Sequence, residues 1–181
     1  MRDSGRGPVL IGIARDAISD PSGPRMPQAW EPAWLRERAA TFVTLRSASG
    51  ELRGCIGTVD AHRPLGDDVA HNAHAAAYRD PRFAPVDSRE RPTLAVEISV
   101  LTPRVALPAK SEAEAVAILR PGEDGVVFEF HEQHATFLPQ VWENLPDPLE
   151  FLSELRRKAL LPPRFWHDEV RLWRYQVEKH T

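Results

Sequence analysis

"GELRGCIGTV", Gly50 to Val59, is the stretch whose reading decides how this chain folds. It holds the only cysteine, Cys55, flanked by Gly54 and Gly57, with Arg53 two residues before it. Strand-forming residues surround two glycines, although glycine weakens a strand by entropy and leaves a face unfilled. Read as an unbroken strand, the side chains alternate. Leu52, Gly54, Ile56 and Thr58 then share one face, and Arg53, Cys55 and Gly57 the other. The first face suits packing, with Gly54 admitting a close approach by another element. The second sets a cation, a thiol and a missing side chain in a row. An arginine near a cysteine favours the thiolate, the form that acts as nucleophile. Gly57 is expected to leave room for a ligand or to bare a backbone N–H. A bulge at either glycine would break this parity. The competing reading is an inert packed residue, since free cysteine is among the most buried types.

Working outward, "ATFVTLR" precedes the stretch and is separated from it by "SASG", so the two segments read as an antiparallel hairpin. Downstream, "PLGDDVAHNAHAAAY" places Leu65, Val69, Asn72 or Ala73, and Ala76 on one helical face. It stops at "RDPRFAPVD", where prolines forbid continuation. In "YRDPRF", Asp80 suits a turn cap and Phe83 an anchor, while the Arg82 guanidinium is shaped to grip a carboxylate or phosphate. "TLAVEISVL" is a strand with Leu94, Val96, Ile98 and Val100 on one face and Ala95, Glu97, Ser99 and Leu101 on the other. Glu97 in so apolar a strand is costly unless paired or facing a cleft. Beside the first strand it would hold Arg53 or serve as a general base, and a structural salt bridge is the plainer role.

The remaining segments follow the same logic. A helix is expected over residues 8–19, then a proline-rich connector over 20–34 held by Trp30 and Trp34. "SEAEAVAIL" reads as a serine-capped helix, "VVFEFH" as a strand, and "ATFLPQV" as its hairpin partner. "DPLEFLSELRRKALL" is an amphipathic helix with Phe151, Leu152, Leu155 and Ala159 as its buried stripe. "EVRLWRYQVE" reads as a final strand with Trp173, Tyr175 and Val177 alternating. Helices and hairpins interspersed in this way predict an α+β fold with a largely antiparallel sheet.

Composition narrows the function classes. The chain has 181 residues, enough for one domain or two small lobes, with 42% hydrophobic content. Its net charge of −3 carries no basic block, so a nucleic-acid partner is not expected. The basic and aromatic "RLWRYQ" is explained more cheaply by strand alternation than by base stacking. One cysteine excludes an internal disulfide and suggests a reducing compartment. "MRDSGRGP" has no apolar core for a signal peptide, and no apolar run is long enough to span a membrane, so a cytoplasmic protein is expected. His71 and His74 lie three apart on the predicted helix, but no further ligands accompany them and no HExxH is present, so no metal site is expected.

With these residues set out, the sequence resembles the AMMECR domain family, whose bacterial and archaeal members are called AmmeMemoRadiSam system protein A. The match runs from "FVTL" through "GELRGCIGTV", "NAHAAAYRDPRFAPV", "LAVEISVLTP", "LRPGEDGVV" and "ATFLPQVWE" to "FLSELRRKALL", and "LRGCIG" is the family signature. The resemblance implies a single domain over 1–181 made of two unequal lobes, with the signature lining a cleft between them. It also implies a setting beside a Memo-type protein and a radical SAM protein, with no established reaction and no cofactor to carry over. The matching positions are Arg53, Gly54, Cys55 and Gly57, then Asn72, Asp80, Arg82 and Phe83, then Glu97 and Ser99. The family helix usually carries a cysteine and "KAG", where this chain has Arg156 and "KAL". The expected function is a cleft enzyme or catalytic subunit. It would act through Cys55, assisted by Arg53 and Glu97, on a small molecule or modified macromolecule. Gly54, Gly57, Asn72, Asp80, Arg82 and Ser99 would contribute to ligand binding. The alternative is a non-catalytic module that binds a ligand or partner.

Overall fold

Alternation and helical spacing translate directly into the observed elements. The computed structural model describes residues 5–181. Its elements run α1 (Arg6–Ser19), β1 (Thr41–Arg46), β2 (Leu52–Gly57), α2 (Leu65–Tyr78), β3 (Ala95–Leu101), β4 (Val105–Leu107), α3 (Glu112–Ile118), β5 (Gly125–Phe130), β6 (Gln133–Phe137), α4 (Pro148–Lys158), β7 (Arg171–Tyr175) and β8 (Val177–His180). The first four residues of the "MRDSGRGP" segment lie outside the described residues. The strands form two four-stranded sheets, ordered β2-β1-β3-β8 and β4-β7-β5-β6. The β1–β2, β1–β3, β4–β7, β5–β6 and β5–β7 pairs are antiparallel. The fold is α+β, as the sequence pattern predicts. No helix among the described residues is long and apolar enough to cross a membrane.

The chain divides into two compact units, Met1–Leu101 with Glu178–Thr181, and Thr102–Val177. In the first, "SASG" closes the β1–β2 hairpin. Gly50 sits at φ +84, a left-handed conformation that glycine adopts without a Cβ penalty, and its N–H reaches Ser47 O at 2.9 Å. The inward face of the sheet presents Val43, Leu45, Val96 and Ile98. These pack against Leu10 and Ala14 of α1 and Val69 and Ala73 of α2. The connector is anchored by Trp30, whose ring covers Gly66 and whose Nε1 donates to Asp67 Oδ1 at 2.7 Å. Its end is not extended: Ala33–Arg36 forms a 3-10 turn that carries Leu35 into the core.

The second unit packs α4 against the sheet through the expected stripe, and Phe151, Leu152, Leu155 and Ala159 are all buried. Asp147 caps α4 by accepting from the N–H groups of Leu149 at 2.8 Å and Glu150 at 3.0 Å. Trp142 stacks on Phe151 with 3.7 Å between ring centroids. Arg156 on the same helix is buried as well, which the amphipathic pattern does not predict. It is ion-paired with Glu112, and Nη1 donates to Phe165 O at 3.2 Å. Two strand readings are corrected here. "ATFLPQV" stays in the sheet only as far as Phe137, because Pro139 opens a 3-10 turn. "EVRLWRYQVE" is broken at Gln176, and its halves, β7 and β8, join different sheets. At the break, Gln176 exchanges hydrogen bonds with Thr102 in place of a continuing ladder.

Candidate functional site

Register assembles the site. In β1 and β2, Thr44 lies opposite Cys55 and Phe42 opposite Gly57. On the other side of β1, Thr44 lies opposite Glu97 and Phe42 opposite Ser99. Directly opposed residues share a face. Two rows therefore cross the sheet on the side turned away from α1 and α2: Cys55–Thr44–Glu97, and Gly57–Phe42–Ser99. The expected alternation holds from Gly54 to Gly57; the register shift between Leu45 and Arg46 leaves Arg53 without a partner on β1 and sets Leu52 opposite Arg46, off the packing face expected for it.

Cys55 is half-buried and held from three directions. Thr44 Oγ1 donates to its Sγ at 3.4 Å. Its N–H donates to Asp80 Oδ2 at 2.9 Å, and its carbonyl oxygen accepts from Arg82 Nη2 at 3.1 Å. β2 is an edge strand. The Asp80–Arg82 pair thus satisfies the backbone groups that a neighbouring strand would otherwise take. The pair is itself tight: Arg82 Nε reaches Asp80 Oδ1 at 2.9 Å and Nη2 reaches Oδ2 at 2.6 Å. The Arg82 guanidinium, helped by the N–H groups of Cys55 and Arg82, holds the Asp80 carboxyl well below the usual carboxylate range against the opposing effect of burial. Arg82 is shifted upward in return, chiefly by Asp80 and in smaller part by the Cys55 side chain.

The glycines are explained differently from one another. A Cβ on Gly54 would stand 2.1 Å from Ala76 O, so its absence lets α2 meet the strand, as expected. A Cβ on Gly57 would stand 2.2 Å from Phe42 Cγ. The space expected there for a ligand is filled by the Phe42 ring.

Three predicted site residues are engaged elsewhere. Arg53 forms a two-pronged ion pair with Glu90 and donates to Ala84 O at 2.9 Å. The cation that shares hydrogen bonds with Cys55 is therefore Arg82 rather than Arg53. Glu97 is paired with Lys179 Nζ at 3.7 Å and not with Arg53. Asn72 is buried beneath the sheet, donating through Nδ2 to Thr41 O at 3.0 Å and to Asp68 Oδ2 at 3.0 Å. Ser99 is buried opposite Phe42. Phe83 lies against both Arg53 and Arg82, with the guanidinium carbons 5.9 and 5.4 Å from its ring centre.

Sequence reasoning missed Thr44 and Asp68. Thr44 was recoverable, since pairing the strands across "SASG" sets it opposite Cys55. Asp68 is wholly buried. It accepts from the Thr41 N–H and Oγ1, both at 2.8 Å, and from Thr58 Oγ1 at 2.7 Å, and it pairs with Arg63 Nη2 at 3.2 Å. The signal was an acid one turn before Asn72 on the apolar face of α2. His71 is exposed and meets Asp67 O, whereas His74 is buried against Pro21 O, so the two face apart. Among the described residues no three His, Cys, Asp or Glu side chains converge as a metal cluster.

Comparison with known proteins accords with this architecture. A family model described as AMMECR1 matches residues 11–180. A Methanothermobacter thermautotrophicus protein is 39% identical, covering 98% of this chain and 93% of its own length. A Thermofilum pendens protein is 35% identical, over 95% and 87% of the two chains. The crystal structure of uncharacterized protein PH0010 from Pyrococcus horikoshii superimposes with a TM-score of 0.84 at 33% identity, covering 96% of this chain and 89% of that one. Similarity of this extent, carried through the whole order of elements, leads to one conclusion: the chain belongs to the AMMECR1 family.

Proposed function

We propose that the chain works through Cys55, as an enzyme or catalytic subunit acting on a small molecule or a modified macromolecule held over the outward face of β1, β2 and β3. The observation that carries this reading is the setting of the thiol. A hydroxyl donates to the half-buried sulfur while a guanidinium is bonded to the same residue's carbonyl. Polar, cationic and partly exposed surroundings of this kind are where thiols serve as nucleophiles or carriers. Glu97, in the same cross-strand row, supplies a carboxylate to orient or accept a proton. Phe42 supplies an apolar floor, and Arg82, half-exposed beyond its pair with Asp80, supplies a donor for an anionic group. A Memo-type protein and a radical SAM protein are the proposed partners, on the family resemblance alone. A second reading, a binding module in which Cys55 only packs, draws support from the engagement of both its backbone groups.

Native mass spectrometry of freshly purified protein beside Cys55→Ala tests the proposal. An adduct or bound metabolite present in the parent and lost from the variant is the expected result. Identical spectra, joined to unchanged turnover of the combined three-protein system carrying Cys55→Ala, overturn it in favour of the binding module.

A further inference from the structure

We infer that the first unit carries a second ligand site, distinct from the Cys55 face, that takes a small organic anion: a carboxylate or phosphate on a short apolar body. The site is a pocket of about 270 Å³ bounded by α1, the turn at residues 88–92 and the start of β3. Val96 places it on the helix-packed side of the sheet. It lies opposite Leu45, one step out of phase with the Thr44–Glu97 row.

The lining is chemically one-sided. Arg15 and Arg91 supply the charge and Ser88 a hydroxyl, while Ile18, Leu94 and Val96 form an apolar floor, and no carboxylate lines the pocket. Each guanidinium is positioned by a backbone carbonyl. Arg15 Nη2 donates to Leu94 O at 3.2 Å, and Arg91 Nη1 donates to Ser19 O. Neither arginine has an ion-pair partner among the described residues. Asp87, the nearby acid, is spent on the N–H groups of Arg89 at 2.7 Å and Glu90 at 2.9 Å. A guanidinium carries five N–H donors, and Arg15 and Arg91 each spend one on a carbonyl, which leaves the others for an acceptor in the pocket.

Two guanidiniums held by their own backbone contacts offer forked donors matched to carboxylate and phosphate oxygens. The apolar floor selects for an organic body over a bare inorganic ion. A volume at the lower end of ligand pockets favours a small metabolite-sized acid over a dinucleotide.

Isothermal titration of the full chain with phenyl phosphate, benzoate and inorganic phosphate tests the inference. Saturable binding of at least one aromatic anion is expected, tighter than that of inorganic phosphate, and the stronger of the two identifies the preferred headgroup. Arg91→Gln and Arg15→Gln should each weaken it about tenfold or more, as loss of a charge-assisted hydrogen bond does. Ser88→Asp, an exposed substitution that leaves the core untouched, should also abolish it by placing a negative charge at the rim. Cys55→Ala should leave it unchanged, so failure of this site and failure of the Cys55 reading are read separately. Absence of saturable binding up to about 10 mM overturns the inference. So does binding that survives both Ser88→Asp and Arg15→Gln, or binding that is lost in Cys55→Ala.

Discussion

The Asp80 carboxylate holds the backbone N–H of Cys55 at 2.9 Å, so a side chain rather than another strand closes the edge of the signature strand. Arg82 completes the closure from the carbonyl side at 3.1 Å. The residue at the centre of the proposed chemistry is thereby fixed by a loop 25 residues along the sequence, against 11 for its strand neighbour Thr44, and disturbing that loop has measurable consequences.

Asp80→Asn should destabilise the protein by about 1–3 kcal/mol at neutral pH, the cost of losing a buried charged acceptor for the Cys55 N–H and the Arg82 guanidinium. Folding lowers the pKa of Asp80 below its unfolded value near 3.9. Its contribution is therefore complete above about pH 5 and is lost as the pH falls through the unfolded value towards the folded one. Urea unfolding at neutral pH and near pH 3 should show the difference between parent and variant shrinking with acid. A difference that stays constant would contradict the assignment.

Alkylation of Cys55 distinguishes the two arginines. Removing Arg82 should slow iodoacetamide at neutral pH several-fold, in line with a nearby surface charge worth about 1 kcal/mol. Arg53→Ala should leave the rate nearly unchanged, because that guanidinium is bonded to Glu90 and Ala84 O rather than to Cys55. Slowing by Arg53→Ala with none on removal of Arg82 would return the role to Arg53, and equal slowing would refute the distinction.

The glycines should respond differently to alanine. Gly54→Ala meets a backbone oxygen of α2 and should cost about 3 kcal/mol or more, with no rescue from neighbouring side-chain changes. Gly57→Ala first meets the Phe42 ring, a side chain, so Phe42→Ala in the same chain should recover part of its cost. Denaturant midpoints of the two single variants and the double give the coupling directly.

Asp68→Ala should be among the most damaging substitutions in the first unit, at about 3–5 kcal/mol, since it strands Arg63 and several buried donors at once. Asn72→Ala, which removes one member of the same network, should cost less. Thermal unfolding of both ranks them, and the reverse order would refute the central position given to Asp68.

Much of this was legible in the residues. The period-2 run around Cys55, the "SASG" loop and the alternation of "TLAVEISVL" sufficed for the hairpin and for the α+β class. Helical spacing named the buried stripe of α4, and strand parity correctly separated the packing role of Gly54 from the outward face of Cys55. Parity could not show that Phe42 occupies the space at Gly57, because a ring's reach across a strand pair depends on its rotamer and neighbours. Nor could it show the break at Gln176, since "EVRLWRYQVE" alternates without interruption and only pairing with two different sheets divides it.

The sequence by itself determined which residues of β2 lie outward from Gly54 onward, since a strand's two faces follow from covalent geometry, whereas the bulge at Arg53 was set by pairing with β1. Tertiary structure decided which charge goes with which. Arg53 is two residues from the signature cysteine in sequence yet is claimed by Glu90, whereas Arg82 comes from a distant turn and is bonded to Cys55. Charged side chains are long and choose partners by distance and desolvation in the folded chain, and neither quantity is written in their spacing along it.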